Sequence, residues 1–228
     1  MLLKKWDELP AAMRSEQVCP YYDSLQQKKF SLFCKVLFDK VMSLAMLLGL
    51  FPIFLVLAIM IKLDSPGEVF FRQERITQYG KKFRIHKFRT MVKNAEAFGT
   101  QVTTKSDMRV TNVGKKLRSC RLDELPQLID ILQGNMSFVG TRPEVTRYVE
   151  QYTPEMMATL LLPAGVTSEA SIEYKDEEKL LADAKNADKT YVEVVLPQKM
   201  QWNLQSLKEF SFVGDIKTMI KTVWAVIS

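Results

Sequence analysis

From Val41 to Ile61 the chain carries no charged residue, and apolar side chains occupy every face of a helix drawn through it. At about 1.5 Å per residue, such a helix is long enough to cross a hydrocarbon core of about 30 Å. Pro52, preceded by Phe51, stands at its middle, where it removes one backbone hydrogen bond and clashes with the carbonyl four residues back. The pattern predicts a helix, a break and a second helix, each half about 10 residues and too short to span alone. The flanks share one sign: Lys28, Lys29, Lys35 and Lys40 precede the stretch, and Lys62, Arg72, Arg75, Lys81, Lys82, Arg84, Lys87 and Arg89 follow it. Basic flanks mark the cytoplasmic side, and a simple span is basic mainly at one end. Both ends are therefore expected on the cytoplasmic side, with a re-entrant hairpin turning at Phe51 and Pro52. A spanning helix that tolerates its proline stays open as an alternative. A cleaved signal peptide does not fit a run that starts about forty residues in. A soluble core helix does not fit one that is apolar all round.

The remaining pattern is that of short elements. Leu2, Leu3, Trp6 and Leu9 can share one helical face lying on an interface, or belong to an ordinary surface helix. Asp64-Ser65-Pro66-Gly67 reads as a turn. Val69 to Phe71 and Phe83 to Phe88 read as strands about a turn at Tyr79-Gly80. Residues 92–108 are polar and predict a short helix and loop. Val113 to Leu117 leads into a helix from Leu122 to Leu132, stopped by Gly134. A loop over 137–144 and helices near 145–161 and 176–187 follow. From Ile216 to Ile227 a stripe of Ile216, Met219, Ile220, Val223, Trp224 and Ile227 opposes Lys217 and Lys221. Core packing is the default for such a stripe, with lipid contact as the alternative.

Composition narrows the partners. A net charge of +6 among 228 residues and a pI near 9.1 point to anionic company: lipid head groups, nucleotide phosphates or nucleic acid. Cys19, Cys34 and Cys120 form no CxxC pair, which argues against a disulfide scaffold or a zinc site. His86 is the lone histidine, which excludes a histidine-based metal cluster within one chain.

Candidate chemistry gathers at Arg118-Ser119-Cys120-Arg121-Leu122-Asp123-Glu124-Leu125-Pro126-Gln127. Asp123 and Glu124 fall at the start of a predicted helix, with Pro126 tolerated in its first turn. Carboxylates beside arginines can hold Mg²⁺, grip a diphosphate and supply a nucleophile or base. Acidic residues also favour a first helical turn for dipole reasons alone, so this segment is ambiguous by itself. Arg72-Gln73-Glu74-Arg75 with Lys87-Phe88-Arg89-Thr90 can clamp phosphates, or form a solvated face. Gly140-Thr141-Arg142-Pro143-Glu144 presents an arginine and a carboxylate from a glycine turn. Cys120 and His86 read as packing and strand residues rather than catalysts.

Taken in order, Leu63-Asp64-Ser65-Pro66-Gly67 with Phe71-Arg72-Gln73-Glu74-Arg75, Phe83 to Met91, Leu122 to Leu128 and Arg142-Pro143-Glu144 resemble the bacterial sugar transferase family. These are the monotopic phosphoglycosyl transferases that begin glycan assembly on polyprenyl phosphate. The likeness runs from about Lys35 to the Asp215-Ile216-Lys217 helix and matches the family's minimal form. It implies that Asp123 attacks the β-phosphate of a UDP-sugar, with Glu124 its partner and Mg²⁺ bridging carboxylate and diphosphate. It implies phosphate or uridine contacts at Arg118 and Arg142. Lys87, Arg89, Arg72 and Glu144 are further substrate-binding candidates. Three departures stand out: Phe51 where the family often has serine, Thr141 where many relatives have proline, and Pro163-Ala164-Gly165-Val166-Thr167-Ser168-Glu169 in place of a Pro-Gly-hydrophobic-Thr-Gly segment.

The expected architecture is α/β, a mostly helical catalytic domain with a few short strands over 63–228, anchored by residues 1–62 at the cytoplasmic face of the bacterial inner membrane. Expected partners are a UDP-sugar, polyprenyl (undecaprenyl) phosphate and anionic lipids, without nucleic acid. Homodimer formation through a terminal helix is compatible with the residues and required by none of them. The rival from another class is a non-enzymatic basic peripheral protein that binds anionic lipid or nucleic acid, which leaves Asp123 and Glu124 without a purpose.

Overall fold

The computed structural model describes residues 3–93, 95, 108–174 and 186–227. The chain opens with two 3-10 turns, Trp6–Glu8 and Ala11–Met13, and helix α1, Cys19–Gln27. Leu9, Met13, Val18, Tyr22 and Leu25 are buried with Ala158, Leu160, Leu161, Leu204, Leu207 and Phe210, so this opening segment shares a core with the far end of the chain. Leu3 and Trp6 pack against that core; Leu2, the other member of the expected interfacial face, lies outside the described residues.

Helix α2 runs from Lys29 to Asp64 with Pro52 inside it. Helical backbone continues through Phe51 and Pro52, where the sequence leads one to expect a break: 36 residues form one helical element. The reason lies in which face the domain covers. Leu32, Lys35, Asp39, Ser43, Leu57 and Ile61 are buried, and Met46, Leu47, Leu50 and Phe54 pack on the domain between them. That is one stripe at helical spacing, held along its whole length. Pro52, and Leu48, whose carbonyl it deprives of a partner, both lie on the uncovered side. The lost hydrogen bond thus falls on the outer face, while packing on the inner face continues past it.

Strands β1, Phe70–Ile76, and β2, Lys82–Phe88, form an antiparallel hairpin. Tyr79 and Gly80 take positive φ values of 59° and 74° at its turn, where the sequence places it. A second pair includes part of the loop expected over 137–144: β3, Met136–Val139, lies parallel to β4, Ala164–Thr167, and Gly140 and Gly165 meet so closely that a Cβ on Gly165 would lie 2.1 Å from the Gly140 amide. Most of the polar stretch 92–108 and most of the helix expected over 176–187 lie outside the described residues.

The segment Val113 to Leu117 lies in a helix of its own, α3, Asn112–Ser119, and the single helix expected from Leu122 to Leu132 is instead two pieces: a 3-10 turn, Leu122–Glu124, and α4, Gln127–Gln133. Arg121 adopts a left-handed conformation at φ 56°, which ends one helical path, and Pro126 starts the next as the N-cap of α4. Gly134, at φ 82°, closes α4 as expected. The helix expected over 145–161 likewise divides into α5, Thr146–Val149, and a 3-10 helix, Met156–Leu161, because Pro154 disfavours the α conformation just before it. Helices α6, Glu169–Glu173, α7, Ala187–Thr190, a π-helical turn, Tyr191–Val195, and α8, Leu196–Lys208, lead to α9, Phe212–Ile227.

The default reading of the α9 stripe is overturned, because its polar side faces inward. Asp215 pairs with Lys35 at 2.6 Å, Thr218 donates to Glu169 at 2.7 Å, and Thr222 meets Thr167 at 2.7 Å. Val213, Ile220, Val223 and Trp224 are left outside, Trp224 at 75% exposure. A second core joins α2, β2, α4 and β3 through Phe83, Ile85, Leu128, Ile131 and Met136. A third sets Leu57 and Ile61 of α2 against Phe88 and Leu117. The acidic turn sits between these two.

Candidate active site: a carboxylate pair ringed by cations

Consecutive residues of a 3-10 turn point their side chains apart, and Asp123 and Glu124 do so to different ends. Glu124 turns inward, its side chain 11% exposed, and its Oε1 accepts from Lys87 Nζ and Arg142 Nη2, each at 2.8 Å. Burial pushes its pKa up, but Arg142 and then Lys87 overcome that and hold the carboxyl well below the usual range. Glu124 is an ionised anchor that gathers two cations from different elements.

Asp123 is the other half of the arrangement. No ion pair reaches its side chain among the described residues. Burial pushes its pKa up, Lys87 pulls it down, the neighbouring Glu124 raises it again and Arg118 lowers it; the net direction is upward. A half-buried carboxylate without an ion-pair partner, within the field of several cations, is a better nucleophile than a fully solvated one.

Arg118 comes from α3 and donates through Nε to Thr90 Oγ1 at 2.9 Å. That places its charge beside Asp123, while its other nitrogens keep their donors. The α3 backbone presses against the segment after β2 at Gly114, where a Cβ would stand 2.2 Å from the Thr90 carbonyl oxygen. Glycine permits this approach, and the approach delivers Arg118.

Arg142 is aimed from behind. Arg75 Nη1 donates to the Pro143 carbonyl at 3.1 Å, the Ile76 amide donates to the Glu144 carbonyl at 2.9 Å, and the Tyr191 hydroxyl donates to the Glu144 carboxylate. Glu144, a substrate-binding candidate by sequence, is buried and turned into the protein as a brace for its loop.

The structure thus brings together Asp123, Glu124, Lys87, Arg118 and Arg142, and leaves two other candidates elsewhere. Arg89 is buried at the end of α2, where Nη2 donates to the Ser65 carbonyl at 2.6 Å and to Ser65 Oγ at 2.9 Å, and Nη1 to the Pro66 carbonyl at 3.2 Å. It caps the long helix. Arg72 is exposed on β1 and donates across the hairpin to the Arg84 carbonyl at 2.8 Å. Cys120 is exposed rather than packed. Of the supporting residues, Arg75 stood in the Arg72–Arg75 cluster but as a phosphate clamp rather than a brace, and Tyr191 and Asp130 carried no motif; the signal at Asp130 is a carboxylate inside the apolar run Leu128 to Leu132, which has to find a partner.

The cation-ringed acidic turn thus lies in a mostly helical domain, set against one helix long and apolar enough, by length and composition, to cross a membrane. The sequence model of the bacterial sugar transferase family matches residues 30–228. The chain belongs to that family. It is 36% identical over 180 residues to the UDP-N-acetylgalactosamine-undecaprenyl-phosphate N-acetylgalactosaminephosphotransferase of Aeromonas hydrophila, covering 78% of this chain and 40% of that protein. It is 35% identical over 191 residues to the UDP-glucose:undecaprenyl-phosphate glucose-1-phosphate transferase of Escherichia coli, covering 82% and 38%. A protein of the same printed activity from Caulobacter vibrioides is 33% identical over 187 residues, covering 80% and 66%. The chain therefore spans well under half the length of the first two.

Proposed function

We propose that this chain transfers a sugar-1-phosphate from a UDP-sugar to polyprenyl phosphate, and that Asp123 carries the phosphosugar between the two. The observation that carries the reading is the division of labour in the acidic turn: Glu124 pairs through Oε1 with both Lys87 and Arg142, while no ion pair reaches Asp123 among the described residues. An Asp123 oxygen attacks the β-phosphorus of the donor. The bond from that phosphorus to the oxygen bridging the α-phosphate breaks, and UMP leaves with the electron pair. A phosphate oxygen of the polyprenyl acceptor then attacks the same phosphorus. The aspartyl–phosphorus bond breaks, which regenerates the carboxylate and yields polyprenyl diphosphate sugar.

Each step moves negative charge across the β-phosphate, and Arg118, Arg142 and Lys87 supply fixed positive charge where it develops. Glu124 keeps Arg142 and Lys87 in place before the donor arrives, so little reorganisation is needed at the moment of reaction. The residues also fit Mg²⁺. That ion is held by one or two carboxylates plus substrate phosphates and water, and Asp123 with the second oxygen of Glu124 provides such a set. No group of three or more ligating side chains lies among the described residues, so the diphosphate would complete the coordination. When bound, the ion neutralises diphosphate charge.

The same proposal places the protein on one side of the membrane, at its cytoplasmic face. Lys35, near the start of α2, bonds the Val139 carbonyl and Asp215, while Asp64, at its end, accepts from the Val113 amide. Both ends rest on the domain that holds Asp123, which disfavours a span that puts one of them across the bilayer. The uncovered face of α2, with Leu48 at 71% and Phe51 at 65% exposure, and the outward face of α9 are the surfaces offered to lipid. Lys28, Lys29, Lys62, Lys217 and Lys221 flank them for anionic head groups.

The test is UMP release from a panel of UDP-sugars with Mg²⁺ and polyprenyl phosphate, for wild type and Asp123→Asn. Release by the wild type, with a phosphosugar adduct on Asp123 and neither in the variant, is the expected result. Undiminished release by Asp123→Asn removes Asp123 as nucleophile.

A further inference from the structure

Strand β2 is tied to the acidic segment twice. The first tie is Lys87 to Glu124 at 2.8 Å. The second is one residue earlier on the strand and six residues later on the partner: Asp130 of α4, with no exposed surface, accepts the His86 backbone amide on Oδ2 at 2.8 Å and faces His86 Nδ1 with Oδ1 at 2.8 Å. One carboxylate thus meets both the backbone and the ring of the same residue. The His86 ring is itself nearly buried, and it packs edge-on against Phe70 of β1. A lone carboxylate at this depth costs too much to stand without partners. Here it has two, and both belong to a single residue of β2.

We infer that Asp130 is a positioning residue, one that fixes the Lys87 amine on Glu124 by clamping His86 to α4; this rests on the transferase reading for its kinetic consequence, though not for its geometry. Apolar packing of Phe83, Ile85 and Phe88 holds β2 on the domain, but such packing is non-directional, and a flexible lysine alone leaves the strand free to shift slightly along α4. Two ties to one rigid segment remove that freedom, because α4 follows the acidic turn directly through Leu125 and Pro126. The carboxylate grips backbone as well as ring, so it sets the height of the strand and not just one side chain. A displacement of about 1 Å in such a support can cost about 100-fold in rate with no contact to the substrate lost.

The experiment has two readouts. The first is the acetylation rate of Lys87 by N-hydroxysuccinimidyl acetate, read by peptide mass spectrometry against Lys81 and Lys82 on the same hairpin. Asp130→Ala is expected to raise labelling of Lys87 about tenfold over those controls, and Asp130→Asn, which keeps an acceptor for the His86 amide, to restore most of the protection. The second is kcat for UMP release in a double-mutant cycle with Lys87→Met. Asp130→Ala is expected to lower kcat about 10- to 100-fold in the wild-type background and to add nothing in the Lys87→Met background. Unchanged Lys87 labelling, or the same fold-loss in both backgrounds, overturns the inference. If Asp130→Ala does not fold, His86→Asn, which removes the ring tie, carries the labelling test with the same expected direction. If the wild type releases no UMP from any donor, the transferase reading fails while the labelling still decides the clamp.

Discussion

Two regions of this protein handle charge in opposite ways. In the acidic turn, carboxylates and cations are drawn together from 3-10 turn, strand and loop, with side chains no more than about a third exposed. On the outer faces of α2 and α9, charge is withdrawn: Asp215 and Thr218 turn inward, and Trp224 and Ile220 turn out. Neither arrangement is what stability in water favours. Buried ion pairs seldom repay their desolvation, and broad apolar faces invite association. Each makes sense against a partner, the first against a polyanion and the second against hydrocarbon. Their meeting in one small domain suits a reaction whose donor is a soluble nucleotide and whose acceptor is a lipid.

The largest effect is expected where the charged region meets its substrate. Arg142→Ala removes a cation aimed by Arg75 and Tyr191, and kcat should fall about 100- to 1,000-fold, as for loss of one donor to a developing charge. The measurement is single-turnover UMP release. A rise in KM alone would mean that Arg142 binds the donor uniformly and does not sharpen the transition state.

The apolar region is broken by placing charge on it. Ile220→Glu with Trp224→Glu should leave the fold intact, because both residues face outward, and should weaken vesicle binding by about 2 kcal/mol or more per site. Flotation with vesicles of mixed anionic and neutral lipid reads the effect. Unchanged flotation would make α9 an interface for something other than lipid.

Between these extremes the two members of the acidic pair should separate by sign. Glu124→Gln leaves Lys87 and Arg142 without a counter-charge and should cost about 2 kcal/mol of stability. Asp123→Asn removes a half-buried charge without an ion-pair partner among the described residues and should be neutral or stabilising by about 0.5 kcal/mol. The pH dependence follows the same signs. The pKa of Glu124 is depressed in the fold, so its contribution is present above its unfolded pKa and lost as pH falls through its folded one. The pKa of Asp123 is raised, so its ionisation costs stability above its folded pKa, and that cost is relieved as pH falls. The proposed attack needs Asp123 ionised, so on that mechanism the acid limb of kcat should lie above the ordinary carboxylate value. Thermal melts of both variants across acid pH, beside the wild-type rate profile, check the three statements.

How much of this could be read from the chain depended on how local the cause was. The β1–β2 hairpin, the end of α4 at Gly134 and the run Val41 to Ile61 declare themselves through periodicity and turn residues. The continuity of α2 did not, since Pro52 argues for a break until one knows which face the domain covers. The direction of α9 was equally hidden: a stripe of Ile220, Val223 and Trp224 looks the same whether it meets core or lipid, and only the inward pairing of Asp215 with Lys35 decides it. In the site, Asp123, Glu124, Lys87, Arg118 and Arg142 were legible from motifs. Arg89 and Glu144 were legible as charged motif residues, but their burial at the end of α2 and under Tyr191 depends on contacts tens of residues distant. Asp130 and Arg75 act entirely through such contacts.

The smallest expected effect tests where the charged region ends. Arg72 stands next to Gln73 and Glu74 in a motif full of cations, yet its guanidinium lies along the exposed face of the hairpin and bonds only the Arg84 carbonyl among the described residues. A single exposed hydrogen bond of this kind contributes about 0.5 kcal/mol or less once water replaces it. Arg72→Ala should therefore leave the melting temperature and the KM for the UDP-sugar essentially where they are, measured beside Arg142→Ala in the same assay. A tenfold rise in KM for Arg72→Ala would mean that the hairpin folds over the donor when it binds, and the cation ring would then extend along β1 to a residue that the unliganded arrangement leaves facing solvent.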